Sequence, residues 1–329
     1  MAGMGTRMRP HTLTTPKPLL PIAGKPIVQR LVEEIASVSA EKISEIAFII
    51  GNFGQEVENK LKQIASDIGA EAKIYYQLEA LGTAHAVYCA EPSLSGKIVV
   101  AFADTLFKAD FKITDETEAG IWVQKVEDPS AFGVVKLNDD GIISEFVEKP
   151  KEFVSDLAII GIYYFRDGEF LRNELKYLID NNITVKGEYQ LTDALENMKN
   201  KGVKFSPEQI IEWMDCGNKN VTVHTNQRIL EYHKHEKLIS DSFTNNNSII
   251  IEPCYIGENV VVTNSIIGPH VSLEANTVVN NSHIKNSIIQ KNCEIDNLNI
   301  TNSMIGNYAK LKTKPHDLSI GDYTSIDIS

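Results

Sequence analysis

A glycine-rich segment at the start of the sequence contains residue types that suit phosphate chemistry. Gly3 and Gly5 flank a single residue, and glycines in this arrangement let a backbone present its N–H groups closely to a polyphosphate. Arg7 and Arg9 add guanidinium groups, whose fork of donors matches phosphate oxygens. The segment is neither a dinucleotide-binding fingerprint, which needs a third glycine, nor a P-loop, which needs Gly-Lys-Ser/Thr. Because Gly-x-Gly loops also make plain turns, both interpretations stay open at this point.

Lys17 follows this segment and lies between two prolines. Prolines restrict the backbone on both sides, so we predict an extended segment that leaves the ammonium group few ways to fold away. A Pro-Lys-Pro sequence by itself is typical of a surface loop, and the lysine gains meaning only together with the preceding segment.

The elements that must position these residues alternate between strand-like and helix-like patterns. The strand candidates are Glu45–Ile50, Lys73–Gln77 and Lys97–Asp104, and the helix candidates are Gln55–Ile68 and Thr83–Ala90. This alternation predicts an α/β fold, with helices on both faces of the sheet. Ligands in such folds bind beyond the carboxyl ends of the strands.

Strand patterns dominate from Gly120 to Phe165, which predicts an antiparallel addition that makes the sheet mixed. Residues Ile229–Lys237 are predicted to be helical, and Asn245–Asn247 form a polar break. We therefore predict an α/β domain over residues 1–240 and a second domain over residues 246–329.

The second domain is repetitive. Asn-Ser-x-Ile occurs at Asn264–Ile267, Asn281–Ile284, Asn286–Ile289 and Asn302–Ile305. Aliphatic residues recur at spacings of six in three runs within this frame, at Ile267, Leu273 and Val279, at Ile289 and Ile295, and at Ile305 and Leu311. A six-residue period fits neither a helix nor an alternating strand, but it fits one side of a parallel β-helix. We predict a short left-handed parallel β-helix, with an irregular β-sandwich as the alternative.

Composition limits the class of protein. The net charge of −12 argues against nucleic acid as the main partner, because binding to a phosphate backbone needs a basic face. The four cysteines show no metal-ligand spacing and are interpreted as free thiols in a reducing compartment. No apolar run is long enough for a membrane span, and no signal peptide is recognised. We expect a cytoplasmic location without a membrane partner.

The N-terminal run resembles the signature G-x-G-T-R-[ML]-x-P-x-T-x3-P-K-x-[ML] of the sugar-1-phosphate nucleotidyltransferases. The matching residues are Gly3, Gly5, Thr6, Arg7, Met8, Pro10, Thr12, Pro16, Lys17 and Leu19. The resemblance implies a Rossmann-like, mixed-sheet catalytic domain over residues 1–240. It also implies that the nucleotide phosphates contact Ala2, Gly3, Gly5 and Thr6, with Arg7 and Lys17 as catalytic cations.

The resemblance continues at the base and the metal. Gln77 and the segment beginning at Gly82-Thr83 are similar to the base-binding segment, in which the glutamine reads a pyrimidine edge and the glycine lets the base approach the backbone. Without the family, Thr83 would be interpreted as a helix N-cap, and we leave His85 as structural. Asp104 and Asp215 resemble the two Mg²⁺ ligands, although alanine precedes Asp104 where the family usually has glycine, and asparagine stands at position 218 for the usual threonine. Two aspartates, substrate oxygens and water can complete the Mg²⁺ octahedron.

Three further segments resemble the sugar side of the family site. Gly133 lies in a Y-G-V-V-like strand, Glu148 and Lys149 in an E-K-P motif, and Gly161 in a strand that closes the sugar pocket. The resemblance implies that Glu148 takes sugar hydroxyls and that Lys149 takes the sugar phosphate. The run Glu188–Asp193 also matches a family motif, and we interpret it as architectural, with Thr192 or Asp193 capping a helix.

The implied reaction needs no protein nucleophile, because an oxygen of the sugar phosphate attacks the α-phosphorus directly. The protein supplies position and charge. The partners are a nucleoside triphosphate and a sugar 1-phosphate, with Mg²⁺ as cofactor. We prefer glucose 1-phosphate with dTTP, then UTP, and then GTP with mannose 1-phosphate or an N-acetylhexosamine phosphate. The β-helix is interpreted as an oligomerisation or regulatory module, so a homo-oligomer through either domain is expected.

One departure from the family concerns the start of the sequence. Family members carry a strand of about six residues before the phosphate loop, in the centre of the sheet, whereas this sequence opens directly on the loop. Without that strand, backbone groups on both neighbours would lack partners. We therefore expect an aliphatic strand upstream in the natural gene product, or else a truncated and unstable form.

Two other functions remain open. The first is a catalytically silent regulatory homologue, although such proteins lose the arginine, lysine or aspartates that this sequence keeps. The second is an acyltransferase in the repeats, which would use His270 or His283.

Overall fold

The computed structural model describes residue 3, residues 5–114 and residues 116–314. The chain divides into two compact units, one of residues up to 21 together with 25–225, and one of residues 22–24 together with those from 226 onward. The division falls within a helix, earlier than the boundary predicted at 240–246. No helix in the described ranges is both long and apolar enough to cross a membrane.

The helices and strands have the following bounds. The α-helices in the described ranges are α1 Ile27–Val38, α2 Gln55–Asp67, α3 Thr83–Tyr88, α4 Gly168–Asp180, α5 Leu191–Asn200 and α6 Lys219–Tyr232. The strands before the repeats are β1 Pro21–Ile22, β2 Lys25–Pro26, β3 Glu45–Ile50, β4 Glu71–Tyr76, β5 Ile98–Ala101, β6 Thr105–Lys108, β7 Ala119–Lys125, β8 Gly133–Leu137, β9 Ile143–Glu148, β10 Leu157–Phe165, β11 Phe205–Gln209 and β12 Glu212–Asp215. Those of the repeats are β13 Thr244–Asn246, β14 Ile249–Ile250, β15 Tyr255–Ile256, β16 Val261–Thr263, β17 Ile266–Ile267, β18 Val271–Leu273, β19 Val278–Asn280, β20 His283–Lys285, β21 Ser287–Ile289, β22 Glu294–Asp296, β23 Asn299–Thr301, β24 Met304–Ile305 and β25 Lys310–Lys312.

The first unit is the predicted α/β fold with a mixed sheet. Its main sheet has the order β11-β7-β10-β8-β9, and β5 also pairs with β10. β7 to β10 pair antiparallel, whereas β11 is parallel to β7 and β3 is parallel to β4. The predicted antiparallel addition between Gly120 and Phe165 is therefore confirmed.

Local patterns explain the helices. In α1 the residues Ile27, Val28, Leu31, Val32 and Ile35 follow helical spacing, and all five are buried. The helix starts directly after a proline, and the N–H of its C-cap residue donates to the Ile35 carbonyl oxygen at 3.0 Å. This apolar face orients α1, which packs against β6 and lines the cavity described below.

The sheet has a gap in its centre. Among the described residues, β3 pairs with β4 alone and β5 with β10 alone, so β3 and β5 each keep one unpaired edge. A cavity of about 910 Å³ is lined by side chains of β3, β5, α1 and α3, and it reaches the phosphate loop. The expected additional strand stays a prediction, and this gap is the position that it would occupy.

The second unit is a parallel β-helix of about four coils, as the six-residue period predicts. Its strands stack in three sheets, β13-β16-β19-β22-β25, β14-β17-β20-β23 and β15-β18-β21-β24. Val262 stacks on Val279, and Val279 stacks on Ile295, so the coil repeats at 17 and then 16 residues. All three side chains are buried. The hand of the coil stays a prediction.

Asparagines occupy the corners of the coils. Those with positive φ are Asn247, Asn259, Asn264, Asn276, Asn281, Asn286, Asn292, Asn297 and Asn302. Asparagine tolerates this left-handed region because its short side chain hydrogen-bonds locally. Asn259 Nδ2 donates to Asn276 Oδ1, and Asn276 Nδ2 donates to Asn292 Oδ1, both at 3.2 Å. The repeated asparagine therefore turns the corner and links successive coils.

We expect Asn276→Ala to lower the free energy of unfolding by about 1–3 kcal/mol, because alanine at φ 59° is strained and both ladder bonds are lost. Asn276→Gly is the matched control, since glycine adopts this backbone freely and loses only the ladder bonds. Urea unfolding followed by circular dichroism measures both variants. An alanine variant as stable as wild type would contradict the corner role.

Two predicted elements near the domain junction are wrong. The predicted helix at Ile229–Lys237 starts ten residues earlier in the structure, at Lys219 of α6, and ends at Tyr232. The residues predicted as a polar break, Asn245–Asn247, mostly belong to β13, the first strand of the β-helix. Polar residues at a solvent-facing coil strand give the same sequence pattern as a linker.

Candidate active site

The phosphate loop owes its shape to Gly5. This residue has φ 57° and immediately precedes a short 3-10 helix, Thr6–Met8. A Cβ at position 5 would lie 3.1 Å from Thr12 Cγ2 and 3.2 Å from Lys17 Cβ, so a side chain there is both strained and crowded. The Thr12 hydroxyl donates to the Gly5 carbonyl oxygen at 2.8 Å and holds the turn. Ala2, predicted to contact the nucleotide, lies outside the described residues.

Lys17 is buried and paired. Its ammonium group donates to Asp104 Oδ2 at 2.7 Å, and the residue is only 8% exposed. The predicted extended backbone is wrong, since Lys17 opens a 3-10 helix, Lys17–Leu19, after the extended residue Pro16. The second proline is compatible with this turn because it stands at an early helical position, where its missing N–H is not needed.

Two carboxylates meet beside this lysine. Asp104 lies in the turn after β5, and Asp215 ends β12, where it pairs across the sheet with Thr105. The N–H of Cys216 donates to the Asp104 carbonyl oxygen at 3.0 Å. Antiparallel pairing of β12 with β6 thus brings together residues that are distant in the sequence.

The electrostatics of Asp215 reflect this crowding. Burial raises the pKa of its carboxyl group above the ordinary value, and the charge of Asp104 raises it further. Lys17, the N–H of Gly217 and Arg7 act in the opposite direction. Gly217 also makes room, since a Cβ there would lie 2.8 Å from Asp215 Oδ2. Two half-buried like charges at the end of a cavity favour the binding of a cation.

The described residues contain no group of three or more His, Cys, Asp or Glu side chains that could hold a metal. Asp104 and Asp215 alone therefore fit only an ion that takes its other ligands from substrate oxygens and water, as Mg²⁺ does.

The base-binding segment is held by contacts that the sequence does not reveal. Gln77 Nε2 donates to the Gly82 carbonyl oxygen at 3.0 Å and lies 3.1 Å from His85 Nδ1. Gly82 has φ 103°, and a Cβ there would lie 2.4 Å from the Tyr189 carbonyl oxygen. A close backbone contact therefore requires glycine here, and the approach of a base to Gly82 stays a prediction.

The second segment in this contact is the Glu188–Asp193 run. The Thr83 hydroxyl accepts a hydrogen bond from the Leu191 N–H at 3.0 Å, at the first residue of α5. Neither α3 nor α5 has a side-chain cap of its own. The prediction that Thr192 or Asp193 caps α5 is wrong, because the Thr83 hydroxyl caps α5 from another part of the chain. Thr83 does not cap its own helix, which was the alternative to a base-binding role.

Gly133, Glu148 and Thr192 form a small cradle. Gly133 begins β8 and pairs with Glu148 at the end of β9. A Cβ at Gly133 would lie 3.1 Å from Glu148 Oε2, 3.4 Å from Ile159 Cδ1 and 3.6 Å from Thr192 Cγ2. Lys149 has φ 42°, and its ammonium group lies 3.3 Å from Glu148 Oε1. These three predicted sugar-side residues, Gly133, Glu148 and Lys149, are neighbours in the structure.

Asp193 is a carboxylate near this cradle that the sequence interpretation undervalued. Burial raises its pKa, and the charge of Glu148 raises it further. Its Oδ2 atom is buried without a hydrogen-bond partner among the described residues. Asp193 belongs to the Glu188–Asp193 motif, but the motif alone does not show which of its side chains lies near Glu148.

Gly161 has a structural role. It lies at a register shift within β10, has φ 84°, and a Cβ there would lie 2.8 Å from Phe102 Cδ2. Its carbonyl oxygen accepts a hydrogen bond from the Phe102 N–H at 2.9 Å. Gly161 therefore positions the chain that leads into Asp104, and it does not line the cavity, unlike Gln77, Gly82 and Thr83.

The cradle and the carboxylate pair are adjacent. The rings of Phe132 and Trp213 meet edge to face with centroids 4.9 Å apart. Phe132 directly precedes Gly133 of the cradle, and Trp213 stands two residues before Asp215. The cavity itself is lined by Gly3, Gly5, Thr6, Arg7, Lys17 and Asp104 at this end. The phosphate loop, Asp104 and the base-binding segment thus border one space.

The histidine proposed for acyl transfer is engaged elsewhere. His270 Nε2 lies 2.6 Å from Glu231 Oε1, and this contact lowers the pKa of the glutamate. His283 is exposed on β20. A histidine held by a carboxylate at a coil corner is explained by structure alone, so the acyltransferase interpretation gains no support.

Comparison with known proteins agrees with this geometry. Residues 1–232 match the model of the family described as nucleotidyl transferase. The low-salt glycan biosynthesis nucleotidyltransferase Agl11 of Haloferax volcanii is 29% identical over 94% of this chain and 91% of its own. The bifunctional protein GlmU of Methanococcus vannielii is 31% identical over 93% of this chain and 76% of its own. A glucose-1-phosphate thymidylyltransferase of Streptomyces antibioticus is 28% identical over 99% and 97%.

A solved structure shows the same fold. The crystal structure of a candidate glucose-1-phosphate thymidylyltransferase from Bacillus anthracis superposes with a TM-score of 0.58 at 26% identity, covering 68% of this chain and 91% of that one. The chain therefore belongs to the nucleotidyl transferase family, and its resemblance to the sugar-1-phosphate nucleotidyltransferases is confirmed.

Proposed function

We propose that the chain transfers a nucleotidyl group from dTTP to glucose 1-phosphate, giving an NDP-sugar and pyrophosphate. The observation that carries the proposal is the cluster of Lys17, Asp104 and Asp215, which lies at one end of a cavity that Gln77 also lines. In this arrangement Lys17 can contact phosphates, the two carboxylates can hold a cation, and the Gln77 amide can contact a base at another part of the cavity.

The chemistry follows from the charges. An oxygen of the sugar phosphate forms a bond to the α-phosphorus while the bond to the pyrophosphate oxygen breaks, so no proton transfer from the protein is required. Arg7 lines the cavity and would neutralise the departing pyrophosphate, while Lys17 and Lys149 would neutralise the attacking phosphate. Losing one such preorganised group typically costs about 10²–10³ in rate.

Asp104 and Asp215 are proposed to hold Mg²⁺, which when bound supplies positive charge to the substrate phosphates. The donor set fits, because oxygen ligands suit this ion and burial together with the neighbouring charge of Asp104 still raises the pKa of Asp215 despite Lys17 and Arg7. Lys17 pairs with Asp104, so the lysine lies beside one of the two proposed metal ligands, and we propose that it also contacts the reacting phosphates.

The choice of glucose 1-phosphate and dTTP rests on the thymidylyltransferase that aligns over nearly the whole chain. Agl11 and GlmU are about as similar, so UTP is the second candidate, and a catalytically silent homologue is the third. All three candidates are tested by measuring the release of pyrophosphate when dTTP, UTP, GTP, ATP or CTP is combined with glucose, mannose or N-acetylglucosamine 1-phosphate. If another combination of nucleotide and sugar phosphate is preferred, that combination replaces the proposed substrates. If no combination releases pyrophosphate, the proposed activity is overturned.

Gly133→Ala is expected to raise the KM for the sugar phosphate about tenfold or more. The added methyl group would lie 3.1 Å from Glu148 Oε2, so the carboxylate that is proposed to take sugar hydroxyls must move. The internal control is the affinity for nucleotide, measured by calorimetry, which should stay within about twofold. An unchanged KM would show that this cradle is not the sugar site.

The β-helix is proposed to mediate homo-oligomer formation, and the cytoplasm is proposed as the location. Light scattering on the full chain and on a chain cut after Lys237 tests the first proposal, since an unchanged assembly would remove that role.

A further inference from the structure

Gln77 has a fixed amide orientation. Its side-chain nitrogen faces the Gly82 carbonyl oxygen at 3.0 Å and His85 Nδ1 at 3.1 Å. A carbonyl oxygen can only accept a hydrogen bond, so the NH₂ group must point toward it. The opposite orientation would place two oxygen atoms in contact without a proton between them.

His85 Nδ1 must then act as the acceptor for the second amide proton. The thiol of Cys89 lies 4.0 Å from the same nitrogen, and burial raises the pKa of this thiol, so it keeps its proton at neutral pH. A ring nitrogen that faces two donors accepts a hydrogen bond through its lone pair. Both protons of the Gln77 amide are therefore engaged by the protein.

The two acceptors are held rigidly. Tyr189 donates its N–H to the Leu81 carbonyl oxygen at 2.8 Å and accepts the Ala84 N–H at 2.9 Å, which locks the backbone on both sides of Gly82. The Gln77 backbone is also held, because its N–H donates to the Ile50 carbonyl oxygen at 2.9 Å. Only the Gln77 oxygen keeps hydrogen-bonding capacity for a ligand, and Gln77 lines the cavity.

We infer that His85 is a positioning residue that fixes Gln77 with its carbonyl oxygen toward the base, so that the site selects a base with a ring N–H donor. Uracil and thymine present such a donor at N3, whereas cytosine presents an acceptor at the same atom. This inference rests on the proposed function, in which Gln77 reads the base. It adds a physical reason for the choice and a residue that the sequence interpretation left as structural.

The test compares the binding of UTP and CTP, which share the ribose and the phosphates and differ in the base edge. Wild-type protein is expected to bind UTP at least tenfold more tightly than CTP in calorimetry, because the wrong base places two acceptors face to face. In His85→Phe, which keeps the ring volume but removes one of the two acceptors, the Gly82 carbonyl oxygen alone holds the amide, so the Gln77 oxygen is less firmly positioned and the ratio should fall at least fivefold. His85→Gln offers an oxygen acceptor and should restore the ratio.

The outcomes separate this inference from the proposed function. If wild-type protein binds neither nucleotide, the proposed function fails and the inference falls with it. If wild type binds both equally, or if His85→Phe weakens both nucleotides to the same extent and keeps the ratio, the positioning role is overturned while the proposed activity stands. Thermal melts of each variant check that the fold is intact, since a purely structural role would lower stability without changing the ratio.

Discussion

Asp104→Asn and Asp215→Asn are each expected to reduce turnover at saturating Mg²⁺ by at least about a hundredfold. Each change removes one of the two negative charges that the proposed metal site provides, and electrostatic groups of this kind are typically worth 10²–10³ in rate. Asp139→Asn is the matched control, because Asp139 is exposed in a turn. A variant that keeps more than about a tenth of wild-type activity would contradict its role as a metal ligand.

The same two variants should shift stability in opposite directions. Asp215 has a raised pKa because burial and Asp104 disfavour its charge, so the asparagine variant should melt a few degrees higher at pH 7. Asp104 balances the buried ammonium group of Lys17 at 2.7 Å, so its asparagine variant should melt a few degrees lower.

The pH dependence of the melting temperature shows whether ionised Asp215 stabilises or destabilises the fold. A group whose folded pKa is raised weakens the fold as the unfolded chain ionises, so this penalty is absent below its ordinary value of 3.8 and complete above the raised folded pKa. The advantage of Asp215→Asn should therefore be absent below about pH 3.8, grow between that value and the folded pKa, and stay constant above it. Melts of both variants between about pH 3 and 8 measure this. Equal shifts in the two variants would show that Lys17 and Asp104 do not form the pair described.

A segment of about six aliphatic residues joined ahead of residue 1 is expected to raise the melting temperature by about 10 °C or more. Within the described part of the chain, β3 and β5 each have an unpaired edge beside the cavity of about 910 Å³, and apolar side chains of α1 line it. A strand in this gap would satisfy backbone groups worth about 1–3 kcal/mol each and bury its side chains, at a cost of about 1.5 kcal/mol of conformational entropy per residue. A net gain of several kcal/mol corresponds to such a shift.

The control for this experiment is a Gly-Ser segment of the same length, which has neither the side chains nor the strand propensity to fill the gap. The aliphatic segment should also tighten nucleotide binding, because the cavity continues to Gly3 and Gly5, and a strand there would hold the phosphate loop. Equal melting temperatures and equal affinities for the two extended chains would show that the sheet is complete without a further strand.

Much of the fold was predictable from short-range patterns. The helix Gln55–Asp67 and the strand Glu45–Ile50 follow directly from the spacing of apolar residues, within one residue of the predicted bounds. The β-helix was predictable because stacked coils repeat the same buried position, as Val262, Val279 and Ile295 do. Prediction failed at the junction, where solvent-facing residues of the first coil strand have the composition of a loop.

The candidate site was predictable in its parts but not in its contacts. The motifs indicate that Lys17, Asp104 and Gly82 matter, but they do not show that Lys17 pairs with Asp104 or that Gly82 contacts Tyr189. Likewise, Thr83 has the sequence position of a helix cap, yet its hydroxyl caps a different helix at Leu191. Each of these contacts joins distant parts of the chain, and a short-range pattern allows many possible partners.

The sequence by itself therefore determined the family, the α/β and β-helix architecture, and the residue types that act on phosphates. It did so because glycine-dependent turns and buried periodicity are local properties of the chain. Only the tertiary structure decided which carboxylate neutralises Lys17, which way the Gln77 amide points, and where the sheet is open. Those features depend on the packing of segments far apart in sequence, and hydrogen-bond direction and charge balance exist only once these segments meet.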